Sequence, residues 1–123
     1  MHSLAVWQNY ISCANQYFLN KDYVAALDFY QAACSEAESL YDQQSISLDA
    51  VSVLVVSNLN LAEWYQQRGF TDKSRSIIEK IHLRMLHSLM KTCVNNKNHD
   101  ALMRATMETY RVLIWCKDRN RNF

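Results

Sequence analysis

Proline is absent from the 123-residue chain, and glycine occurs once, at Gly69. A sheet protein needs turn residues at regular intervals, so this scarcity argues for an all-α fold. It also removes the glycine-rich loops with which nucleotide-binding folds cradle phosphate. Long apolar runs are missing too. The longest aliphatic run, Val53-Leu54-Val55-Val56, falls far short of the roughly twenty residues that span a bilayer. Met1 to Trp7 carry neither the basic segment nor the apolar segment of a secretory signal, so cytoplasm is the expectation and no membrane partner is predicted.

Chemistry-bearing patterns are equally scarce. Cys13, Cys34, Cys93 and Cys116 show no C-x-x-C spacing, which makes them small buried apolar groups of a reducing compartment rather than disulfide or metal ligands. His2, His82, His87 and His99 include no i, i+4 pair. His82 and His87 point about 140° apart on an ideal helix, so they share no metal. No local motif orients a serine or cysteine nucleophile against a base. The chain is therefore expected to be neither an enzyme nor a holder of cofactor or metal.

What the sequence does have is helical periodicity. The stretch from Trp7 to Leu40 holds two amphipathic runs separated by Asn20-Lys21-Asp22-Tyr23. Large and small apolar residues recur in each at spacings of three and four, the pattern of a helix face against a neighbour. Small alanines among large tyrosines let two antiparallel helices approach closely. Helix one is predicted from a Ser3 cap to Leu19, and helix two from an Asp22 cap to about Tyr41. Helix three follows from about Ile46 to Arg68, capped by Ser45 or Ser47. Its Val53 and Val56 lie outside the main stripe, so it is either central or covered by a partner. Gly69 ends it in a left-handed conformation. Helix four is capped by Thr71 or Asp72 and ends before Asn95-Asn96-Lys97-Asn98. Helix five runs over about 99–118, and the tail to Phe123 lacks periodicity.

Charge is divided along the chain. Residues 1–50 hold one basic residue against six acidic, a net of −5, and residues 51–123 hold twelve against six, a net of +6. Helix four carries Lys73, Arg75, Lys80, Arg84 and Lys91, but Asp72 and Glu79 interleave and the whole chain totals only +1. Nucleic acid is therefore not an expected partner.

The residues from Trp7 to Leu40 resemble a tetratricopeptide repeat, a 34-residue helix–turn–helix unit. Ala14, Tyr17, Ala26, Tyr30 and Ala33 stand at the unit's small and aromatic places. A second copy over 55–88 matches with Leu61, Ala62, Tyr65 and Gly69, then departs with Ser74, Ile78 and Ile81. The proline that commonly closes a unit is missing from both, with Glu38 and Leu86 in its place. The resemblance implies a single domain over 1–123: antiparallel hairpins stacked as a short solenoid of about five helices, with helix five a cap or an unfinished third repeat.

It also implies a concave groove, lined by the first helix of each unit, that binds a peptide or another protein. Carried over by position, the groove residues are Gln8, Ile11, Ser12, Asn15, Phe18 and Leu19 in the first unit. In the second they are Val56, Leu59, Asn60, Glu63, Gln66 and Gln67, and helix five adds Met103, Arg104, Met107, Tyr110 and Arg111. Asn15 and Asn60 fall where some relatives grip a C-terminal carboxylate, although Ile11 replaces the expected lysine. Arg104 or Arg111 could supply the missing cation. The alternative is a homodimer through an apolar seam that includes Val53, Trp115 and Phe123. On that reading Val53→Asp or Trp115→Ala gives a folded monomer.

Overall fold

The computed structural model describes residues 2–42 and 48–121, leaving aside the side chains of Leu48 and residues 117–121. Five helices follow in order: α1 (Leu4–Leu19), α2 (Tyr23–Tyr41), α3 (Leu48–Gln67), α4 (Thr71–Lys91) and α5 (His99–Arg121). No strand occurs among the described residues. The expected caps Ser45 and Ser47, the start at Ile46, and Phe123 lie outside them.

Local chemistry sets the helix ends. The Ser3 hydroxyl accepts from the Val6 amide, and the Asp22 carboxylate accepts from the Ala25 amide. Each satisfies a donor that the first helical turn leaves open. α4 differs from expectation: the residue at its cap position is Phe70, which offers no side-chain bond. Asp72 sits inside the first turn and pairs with Arg75. α4 ends at Lys91, before the Asn95-Asn96-Lys97-Asn98 segment, where Thr92 turns extended. α5 continues past 118 to Arg121, a stretch with no glycine or proline to interrupt it.

The two hairpin turns are the same structure. Lys21 has φ +63° and Gly69 has φ +87°. In the first turn the Asp22 amide donates to the Tyr17 carbonyl and the Lys21 amide to Phe18. In the second, Phe70 donates to Tyr65 and Gly69 to Gln66. Both are left-handed closures of the Schellman type. They stand 48 residues apart, and the buried positions repeat at the same interval: Ala14 with Ala62, Ala26 with Ser74, Tyr30 with Ile78, Ala33 with Ile81, and Ala37 with Met85.

Consecutive helices pack against one another, and α3 also packs against α5. Side chains then tie alternate helices. The Trp7 indole donates to Ser57 between α1 and α3. Arg84 pairs with Glu38 and Asp42, and Tyr41 bonds Ser88, between α2 and α4. The odd helices thus form one layer and the even helices a second. α3 lies at the centre: Val51, Val53, Leu54 and Val55 pack with Ala37 and Tyr41 of α2, Ile81 and Met85 of α4, and Leu102 and Ala105 of α5. At the other end of α3, Trp64 packs with Ala14, Ala26 and Tyr30 and donates its indole N–H to the Tyr23 carbonyl.

This centre corrects the seam reading of Val53. The residue is 4% exposed, so it meets this chain's own helices and presents nothing to a second copy. Val53→Asp is expected to unfold the protein, since an unpaired buried carboxylate costs at least about 3 kcal/mol; urea titration followed by circular dichroism measures the loss. The turns give a paired prediction. Gly69→Ala should destabilise and Lys21→Gly should stabilise by up to about 1 kcal/mol each, because only glycine adopts positive φ without a Cβ clash. Thermal melts of the two variants should move in opposite directions.

Candidate functional site

The predicted concave groove is not gathered into one site. Asn15 accepts a hydrogen bond from the Tyr30 hydroxyl at 2.6 Å, so its amide is engaged toward α2. Burial pushes the Tyr30 phenol up from its ordinary range, which keeps it a donor. Ile11 and Phe18 pack into the core around Ala14 and Trp64, with Phe18 edge-on to Tyr23. Gln8 stands exposed in water. In the second unit Asn60 is half-buried, and Glu63 bonds Gln67 at 2.7 Å on the exposed surface. Val56 and Arg104 do meet, in a shallow cleft of about 250 Å³ between α3 and α5, together with Val51, Ser52, Ala101 and Glu108. Met107 and Arg111, read from sequence as part of the same groove, line a different cleft.

That second cleft, of about 640 Å³, lies between α4 and α5. His82 and Leu86 form the α4 wall; Thr106, Met107, Tyr110, Arg111 and Ile114 form the α5 wall. A smaller hollow of about 480 Å³ shares Leu86 and extends along α4 past Leu83, His87 and Met90. Leu83 is 61% exposed, Met90 76% and Met107 57%. The two hollows make one apolar end face on the stack, where a further helix would have to pack to bury them. Its position follows from the layers: α3 is flanked by α2 and α4, whereas α5 has α4 on one side and open surface on the other.

Polar groups on this face are few and mostly engaged. The Thr109 hydroxyl donates to the backbone of Ala105 or Thr106. It also lies within hydrogen-bond reach of His82 Nδ1, at 2.9 Å. Arg111 pairs with Glu108 at 2.9 Å. Trp115, 56% exposed, lies on the Arg104–Glu108 flank of α5 rather than on this face. Sequence reasoning placed Met103, Met107 and Tyr110 of α5 in the concave groove and Trp115 in a seam, and named no apolar docking residue on α4. The missed signal was number: Leu102, Met103, Thr106, Met107, Tyr110, Leu113 and Ile114 cover more of the helix than one neighbour can bury.

No group of three or more histidine, cysteine or acidic side chains within metal-holding distance occurs among the described residues. No helix among them is long and apolar enough to cross a membrane. The thiols differ in chemistry. Burial, reinforced by the Glu38 carboxylate, pushes Cys34 up to about 12 from an ordinary 9.0, while Cys93 is exposed.

A family model described as a protein of unknown function matches residues 5–121, from the first turn of α1 to the end of α5. Comparison with curated proteins and with solved structures gave no match.

The thiol difference is directly measurable. Iodoacetamide near neutral pH should label Cys93 first and spare Cys34 until the chain is unfolded, as peptide mapping would report. The unfolded Cys34 thiol ionises near 9.0 and the folded one near 12. The unfolded chain therefore gives up its proton first, and stability should fall as pH rises through that window.

Proposed function

The chain belongs to that family, DUF2753, and for it we propose a non-catalytic role as a protein-interaction module whose docking surface is the α4–α5 end face. The observation that carries this reading is the cleft of about 640 Å³ together with its extension past Leu83 and Met90. Apolar area left in water favours association at roughly 25 cal/mol per Å² buried. A volume of this size, apolar but for a few polar groups at its edge, suits an amphipathic helix laid into a groove.

The tetratricopeptide-like pattern supports the module reading without requiring the concave groove to be the contact. Gln8, Glu63 and Gln67 offer a polar, hydrated surface, whereas the end face offers apolar anchors. An adaptor or chaperone-like part in the cytoplasm fits the free thiols of Cys13, Cys34 and Cys93.

A photo-crosslinking amino acid placed at Met107 should form protein adducts in cells, and one placed at Gln8 or Val56 should not. The reverse pattern would move the contact to the α1–α3–α5 face and overturn this assignment.

A further inference from the structure

Resting on the end face as the docking surface, we propose that its occupant is a second copy of this chain. The two copies join through α5 about a two-fold axis, so that two α4–α5 pairs form an antiparallel four-helix bundle. Apart from Trp115 on the opposite flank, the outward apolar residues of α5 are Met103, Met107, Tyr110 and Ile114, at intervals of four, three and four. This is the a/d pattern of a coiled-coil seam. It is also symmetric about the midpoint between Glu108 and Thr109. Two antiparallel copies centred there set Met103 opposite Ile114 of the second copy, and Met107 opposite Tyr110 of the second copy. An isologous contact asks for such self-complementarity.

The charged residues of α5 leave the stripe clear: Arg111 stands at its edge, paired with Glu108 of its own chain, while Glu108 and Arg104 lie toward the α3–α5 cleft. The cleft volume has the same meaning. Each α5 fills the groove between α4 and α5 of the other copy, the place left open where the even layer stops at α4.

A head-to-tail pairing of the acidic first half with the basic second half is the competing contact between copies. It depends on charge, so salt separates the two.

Light scattering behind size exclusion on the full chain should give twice 14.4 kDa at about 50 mM and at about 500 mM salt, and Met107→Asp should give a folded monomer. Register is tested in a Cys93→Ser background with Met103→Cys and Ile114→Cys. Each alone places like cysteines about 16 Å apart along the axis, beyond the roughly 7 Å a disulfide allows, and should not cross-link. The two mixed and oxidised should give a disulfide-linked dimer. A wild-type monomer, a dimer lost at high salt, or cross-links in the single variants but not in the mixture would overturn the proposal. If the wild type is a monomer, the dye anilinonaphthalene sulfonate separates the two readings. Binding abolished by Met107→Asp keeps the end face as a docking surface for another protein. Binding unaffected by that change removes the docking surface as well.

Discussion

Helix α3 carries buried side chains around more than half of its circumference, leaving only the strip of Asp49, Ser52, Val56, Glu63 and Gln67 in water. Val51, Val53, Leu54 and Val55 follow one another almost without interruption, so neighbours are needed in several directions. α2 and α4 supply two of them, α5 a third, and α1 reaches it through the Trp7–Ser57 bond. The two-layer arrangement is what remains once α3 is surrounded by helices joined in sequence. Even the buried hydroxyl of Ser57 is accommodated, since it accepts from Trp7 while donating to the Val53 carbonyl one turn back.

The outer helices are satisfied unequally. The exposed side of α1 is largely polar, with Gln8, Asn9, Ser12, Asn15 and Gln16 facing water. The exposed side of α5 holds Met103, Met107, Tyr110 and Ile114, and α4 adds Leu83 and Met90. A stack of identical units would need a polar cap at each end. The first hairpin exposes Leu4, Leu19 and Val24 near its helix ends, but the larger apolar surface lies at the finish, and that contrast supports the interaction proposed for the α4–α5 end.

Much of the architecture was legible in the residues themselves. Ser3 and Asp22 read as caps because a short oxygen-bearing side chain before an apolar-periodic run can satisfy first-turn amides, and they do so. Gly69 read as a left-handed helix end for a backbone reason, and its φ agrees. Lys21 takes the same conformation without any such signal, because the 48-residue repeat and its packing overrule the side chain's preference. The groove was less legible for a related reason. Whether Asn15 faces a ligand or Tyr30 depends on an aromatic fifteen residues away. Which side of α5 meets α3 depends on the crossing of two helices whose apolar faces are both broad. Periodicity gives the width of a face; only the neighbours decide how much of it is covered.

The three tryptophans make the fold optically separable. Trp7 and Trp64 each donate an indole N–H to a fixed partner, one to a hydroxyl and one to a carbonyl, and each sits at a seam between layers or hairpins. Trp115 stands on the outer flank of α5, more than half open to water. Emission therefore carries two populations from one chain: two interior indoles that respond only when α1, α2 and α3 come apart, and a third that registers events at the far end while the stack stays whole.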